Sequence, residues 1–234
     1  LLANEHPIFA IDSMPFLATD YEQAANLWKV TKQGMEEQLD KQGIMLLYTV
    51  PWPPQGLYAT KVINKASDMK GMKFRSVNAN TTRLAELAGA VPTQIEVADL
   101  AQAFATGRIE SMITSPSTGV SNKAWDFLSH FHHIQAWIPK NGVLMNKRAF
   151  RSLDSATQQA VLDAAARAEA RGWAMSKAET DEKIAILKKN GVTIMTPSAA
   201  LMSSLKDIGK IMSSEWSKKA GAEGTEILKA FRAL

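Results

Sequence analysis

The chain has no cysteine, so it can form no disulfide and offers no thiolate nucleophile, a composition that fits either redox compartment. Long apolar runs are missing as well. Nothing approaches the stretch needed to span a bilayer, which excludes insertion of this chain into a membrane. Basic blocks are absent: the formal charge of +4 is dispersed, as in Lys188 with Lys189 and Lys218 with Lys219, without aromatic interleaving. That argues against a nucleic-acid partner and is compatible with an anionic ligand. There is no Gly-x-Ser-x-Gly elbow and no glycine-rich phosphate loop, so no catalytic constellation, no nucleotide site and no cofactor is expected. Histidine is scarce, and three of the four cluster as His130, His132 and His133. On a strand the first two share a face, but no carboxylate joins them at ligand spacing, so partial burial on an edge strand is expected rather than a metal site. The eleven methionines read as core fillers. Finally, the start lacks an initiator methionine, a basic n-region and an apolar h-region, and LLANEHPIFAIDSMPF looks like the end of a helix entering a strand. An incomplete chain is the expectation, with any signal peptide and the first structural units upstream of Leu1.

What is present describes an ordinary globular protein: 234 residues, 46% hydrophobic and 21% charged, with room for two small domains. From Thr19 to Gln42 the apolar spacing predicts a helix, with Asp20 as cap, Gly43 as stop and Trp28 in the core. Ile44 to Val50 (IMLLYTV) is a continuous apolar run of strand length, which predicts a strand buried on both faces of a mainly parallel sheet. PWPP follows, where prolines forbid helix and Trp52 stands just past the strand end. There it could wall a ligand site or plug a domain junction. Tyr58 opens a second strand, Leu57 to Ile63. Beyond Pro92, strands TQIEV and SMITS alternate with short helices, which argues for a doubly wound α/β domain. Phe127 to Ile138 and Gly142 to Asn146 alternate as strands. Asp154 to about Lys189 predicts a helix long enough to bridge two domains, and a short strand and helices from Ser198 to Ala220 and from Thr225 to Ala233 close the chain.

The central stretch is Gly71 to Pro92, GMKFRSVNANTTRLAELAGAVP. It predicts a strand from Met72 to Val77, an asparagine turn, a helix from about Thr81, and a Gly89 exit. Arg75 is the odd residue, a guanidinium near the end of a half-apolar strand. Open α/β sheets bind ligands in the crevice beyond their strands' carboxyl ends. A planar fork of donors there suits capture of a carboxylate, although a structural ion pair at the surface is the alternative. Ser115, with Thr114 before it at the end of SMITS, should face the same crevice.

These stretches resemble the extracytoplasmic solute-binding proteins of tripartite ATP-independent periplasmic (TRAP) transporters. The resemblance covers essentially the whole chain through PIFAIDSMPFL, Gly56 to Ile63, DMKGMKFRSVNANTTRLAELAGAVPTQIEVADLAQAFATGRIESMITSPST and GVLMNKRAFRSLDSATQQAVLDAA. It implies a two-domain, type II-like periplasmic-binding fold with a long bridging helix. Residues 1–52 with 140–178 would form a first domain, incomplete at its N-terminus, and 53–139 with 179–234 a second. It further implies a monomeric periplasmic receptor, not an enzyme, that takes a small organic acid and delivers it to the TRAP membrane subunits. Arg75 stands where the family's arginine contacts the ligand carboxylate, and Asn78 matches a frequent ligand-contacting asparagine.

The chain departs from the pattern where Gly56, Leu57, Tyr58 replaces Gly-aromatic-Arg and where Ser115 replaces an asparagine before proline. Losing one cation argues against a dicarboxylate, because a second carboxylate would be buried without its partner. Trp52 and Tyr58 then favour a monocarboxylate with an apolar or aromatic body. A small hydroxy or keto acid held by Asn78, Ser115 and Tyr58 is the second choice. Outside transport, the effector domain of a transcription regulator shares the hinged plan.

Overall fold

The computed structural model describes residues 2–234, so Leu1 lies outside the described residues. In chain order the elements are α1 (Leu2–Glu5), a 3-10 segment (Pro7–Ser13), α2 (Tyr21–Lys41), β1 (Ile44–Pro51), β2 (Gly56–Ala59), β3 (Lys73–Ser76), α3 (Ala79–Leu87) and β4 (Val91–Gln94). There follow α4 (Leu100–Ala105), β5 (Ser111–Thr114), α5 (Pro116–Ser121), β6 (His130–His132), β7 (Lys140–Asn146), α6 (Lys147–Arg151), α7 (Ser155–Lys189), β8 (Thr193–Met195) and α8 (Ala199–Arg232). Side-chain caps set several helix starts. Asp20, Asn78, Asp154 and Ser198 each accept the backbone N–H three residues on, a contact that contributes about 1 kcal/mol. Gly43, at φ 71°, ends α2 in the left-handed region.

Two sheets organise the chain. β1 pairs antiparallel with β7, and the other strands form a six-stranded sheet in the order β4-β3-β5-β2-β6-β8. Within it β3 is parallel to both β4 and β5, β2 is antiparallel to β5 and β6, and β8 is parallel to β6. One face of this sheet shares a core with the 3-10 segment, α2, α3 and α8, and the other packs on α4 and the end of α7.

The strand expectation for Ile44 to Val50 holds in position but not in environment. β1 is antiparallel to its neighbour and mostly half-buried, because among the described residues it has one strand partner. Its apolar run is covered by α7 on one side, where Gly172 lets the helix lie on Val50: a Cβ there would sit 2.6 Å from Val50 Cγ2. The expected entry of PIFAIDSMPF into a strand is also corrected, since Pro7–Ser13 is a 3-10 helix capped by the His6 side chain. Phe127 to Ile138 yields only the three-residue β6, which lies between β2 and β8 rather than at an edge. α7 runs unbroken for 35 residues, whereas α8 is broken at Gly221 (φ 66°, ψ −140°) into two helical segments, as the expected pair of closing helices requires.

The two sheets are joined by chain segments lying side by side. Trp52 N–H donates to the Pro139 carbonyl (2.8 Å), Gln55 N–H to Trp137 (3.0 Å), and Ala136 N–H to Gln55 (2.8 Å). Phe16 N–H adds a bond to the Ala136 carbonyl at 2.7 Å. Phe16 and Gln135 there hold positive φ (59° and 47°), a strained setting for non-glycine residues. α7 is the further bridge, packing on β1, α5 and β8.

Candidate functional site

Arg75 is the penultimate residue of β3. Pairing register places it in one row across the sheet, Thr93, Arg75, Met112, Tyr58, Phe131, Ile194, all on the same face. Met112, Tyr58 and Phe131 are fully buried, so the row is apolar core that ends in a cation. The chain leaves β3 into α3 on one face and β4 into α4 on the other. Helices diverging from adjacent parallel strands open a crevice at the strands' carboxyl ends.

Arg75 is 4% exposed. Its Nε donates to the Ile95 carbonyl at 2.9 Å, and among the described residues it has no ion-pair partner. Burial lowers its pKa, which Glu96 partly opposes, yet arginine remains a cation under all physiological conditions. A buried, fork-shaped cation with one internal hydrogen bond can receive an anion through its remaining donors.

Asn78 caps α3. Its Oδ1 accepts the Thr81 N–H at 2.9 Å, which fixes the amide and leaves its NH2 end without a protein acceptor among the described residues. Ser115 does the same for α5, accepting the Thr118 N–H at 3.0 Å, and is buried with Thr114 at the end of β5. Tyr58 is core: its ring lies 4.6 Å from that of Phe131 and its hydroxyl donates to the Ser115 carbonyl at 3.3 Å. Desolvation holds that phenol protonated, well above the usual tyrosine range. Trp52 is 39% exposed at the crossover between the sheets.

A cavity of about 1180 Å³ opens between the two sheets. Ser76, Asn78 and Gln94 form one wall, Lys140 and Asn141 of β7 the other, and Trp28 of α2 lies between. Of the residues expected from sequence, Asn78 alone is on this surface. Arg75 lies directly behind it, because Ile95, whose carbonyl it holds, is flanked by the wall residues Gln94 and Glu96. Trp52, Tyr58, Thr114 and Ser115 do not line it.

Three cavity residues escaped the sequence reading. Lys140 has a buried side chain whose Nζ makes no hydrogen bond among the described residues, 3.6 Å from Asp12 Oδ2 and 5.9 Å from the centre of the Trp28 ring. Asp12 Oδ2 is itself held by the Lys140 backbone N–H at 2.9 Å. Trp28, expected in the core, is half-buried and presents its ring to this pair. A lysine after a proline at a strand start carries no sign of burial, and Asp12 read as a turn residue. Only the juxtaposition of β7 with the 3-10 segment brings them together.

Comparison with known proteins matches the fold. The structure superposes on an extracytoplasmic solute receptor of Bordetella pertussis that binds pyroglutamic acid, with 46% identity, TM-score 0.97, and coverage of 100% of this chain and 77% of that one. A marine metagenome TRAP solute-binding protein specific for pyroglutamate gives 37% identity and TM-score 0.94 over 100% of this chain and 77% of that one. A curated solute-binding protein of Albidiferax ferrireducens is 24% identical over 213 residues, 88% of this chain. The present chain spans 62% of that protein's length. The profile of the DctP family, bacterial extracellular solute-binding protein family 7, matches residues 1–219, and the chain belongs to that family.

Proposed function

We propose that this protein is a periplasmic receptor that captures a small monocarboxylate of the pyroglutamate kind and presents it to the membrane subunits of a TRAP transporter. The observation that carries the reading is Arg75, a buried guanidinium with one internal hydrogen bond and no counter-ion among the described residues. A carboxylate arriving in the crevice would supply the missing charge and accept two hydrogen bonds from the fork. Asn78, fixed by its cap to α3, and Ser115, fixed by its cap to α5, are the neighbouring polar groups we assign to ligand contact, with Thr114 at the strand end beside them. The solved relatives at 46% and 37% identity bind pyroglutamate, and this supports a compact, polar acid.

The aromatic-bodied ligand loses its ground, because Tyr58 is packed into the sheet core with its hydroxyl on the Ser115 carbonyl and Trp52 stands 39% exposed at the crossover. Membership of a solute-binding family likewise removes the case for a transcription-regulator effector domain. Closure of residues 1–52 with 140–178 against 53–139 with 179–234 is the binding motion we propose, and the paired crossover segments between the sheets support a hinge there. A thermal-shift screen of pyroglutamate, benzoate and succinate tests the ligand class. A ligand at about a hundred times its dissociation constant stabilises by about 2.7 kcal/mol. Pyroglutamate should give the largest shift, and a larger shift with succinate or benzoate would overturn the assignment.

A further inference from the structure

The ring of pyroglutamate carries a cis lactam, which presents a hydrogen-bond acceptor (C=O) and a donor (N–H) side by side on one edge. The cavity wall facing the β3 and β4 ends carries the complementary pair. Lys140 Nζ has three protons, is buried, and finds no acceptor within hydrogen-bond reach among the described residues; Asp12 lies 3.6 Å away with its Oδ2 anchored on the Lys140 backbone. An ammonium left unpartnered in a buried position is costly unless something else completes its bonding. Asp12 is the nearest charge but sits beyond hydrogen-bond length, so it neutralises Lys140 without saturating it. Trp28 backs the pair with its ring and keeps the ammonium oriented.

Resting on the reading that Arg75 takes the carboxylate, we propose that Lys140 and Asp12 recognise the lactam edge of the same ligand. Lys140 donates to the lactam oxygen and Asp12 accepts from the lactam N–H. The pair carries no net charge, so it selects a neutral amide edge over a second carboxylate. This makes Lys140 and Asp12 specificity-determining residues, on the opposite side of the cleft from Arg75, and sheet closure brings them to the ligand.

Calorimetry on the full-length protein with pyroglutamate and cyclopentanecarboxylate, the same ring without the lactam, tests this directly. The unaltered protein should prefer pyroglutamate by at least about 10-fold, the effect of one charge-assisted hydrogen bond. Lys140→Met should collapse that preference to within about threefold, and Lys140→Arg, which keeps the donors, should retain most of it. Asp12→Asn leaves the lysine uncompensated and should raise affinity for glutarate relative to pyroglutamate. That variant keeps the test decisive if Lys140→Met melts without a cooperative transition. A preference unchanged in Lys140→Met, or absent from the unaltered protein, overturns the proposal. Arg75→Ala separates the two readings: it should weaken both acids alike, and normal binding of both by that variant would overturn the carboxylate assignment instead.

Discussion

Replacing Arg75 by methionine should abolish ligand binding while leaving the unliganded protein as stable as before, or more so. The two effects come from the same feature. Arg75 is 4% exposed and has no ion-pair partner among the described residues, so the unliganded fold carries a desolvated cation. Methionine fills a similar volume beside Met112, the register neighbour of Arg75. The exchange loses one hydrogen bond to the Ile95 carbonyl, about 1.5–3 kcal/mol for a charged donor. It regains the desolvation cost of the guanidinium, several kcal/mol for a buried ion. Binding loses a buried, hydrogen-bonded charge pair, about 2–5 kcal/mol, or roughly 30- to 5000-fold in dissociation constant. Thermal melts with and without pyroglutamate read both quantities at once. For a chain of this size 1 kcal/mol moves the midpoint by about 2–4 °C. The unliganded midpoint should therefore stay within a few degrees or rise, and the ligand-induced shift should vanish. A fall of more than about 10 °C without ligand would mean that Arg75 is a structural residue. Binding by Arg75→Lys within about twofold of the unaltered protein would refute a two-bond contact, since lysine keeps the charge and loses the fork.

Other outcomes follow from the same packing. Burial lowers the pKa of His132, whose Nε2 accepts the Ile63 N–H at 3.0 Å while Nδ1 faces the Leu57 carbonyl at 3.3 Å. The native state therefore favours the neutral ring; stability is full above the unfolded value of about 6.5 and falls as pH drops through it toward the lower folded value. Urea midpoints should decline from pH 7.5 to 5.5, less so in His132→Gln, and a flat profile would refute this. Gly209→Ala places a Cβ 2.4 Å from the Pro15 carbonyl oxygen; this backbone clash, about 1–3 kcal/mol, should exceed the helix-propensity gain of about 1 kcal/mol and lower the melting midpoint. Small-angle scattering should show a smaller radius of gyration at saturating pyroglutamate, and an unchanged radius would argue against closure.

The strand-turn-helix around Arg75 was legible because each step has a local cause. Phe74 and Arg75 alternate across a pleat and Gly89 at φ 73° stops the helix, although the helix starts at Ala79 under an Asn78 cap, two residues before the expected Thr81. Helix starts at Asp20, Asp154 and Ser198 were legible for the same reason. Environment was not. Nothing in IMLLYTV distinguishes a strand covered on both faces from an antiparallel strand with one neighbour, because the run is equally apolar in either. The pair Lys140 and Asp12 is separated by 128 positions, and its burial arises only from tertiary packing. Tyr58 was placed correctly on a strand, and it shares its face with Arg75, Met112 and Phe131; that its hydroxyl is taken up by the Ser115 carbonyl follows only from tertiary packing.

That shared face also bears on the proposed contact between Arg75 and a carboxylate. Met112, Tyr58 and Phe131 keep water and competing charges away along the whole row, and a charge pair formed against such a background is far stronger than one in solvent. Tyr58 takes part without touching the anion. By bonding the Ser115 carbonyl it steadies the β5-α5 turn, and Gly119 leaves the space its ring needs: a Cβ there would lie 2.2 Å from the Tyr58 hydroxyl. Tyr58 is therefore a structural residue of this fold. In the function proposed above, Arg75 takes the carboxylate and the Lys140–Asp12 pair faces it across the cleft. If Arg75 takes the carboxylate and selection lies in the groups opposite it, substitutions at Lys140 should alter preference among acids while substitutions at Arg75 alter affinity for all of them.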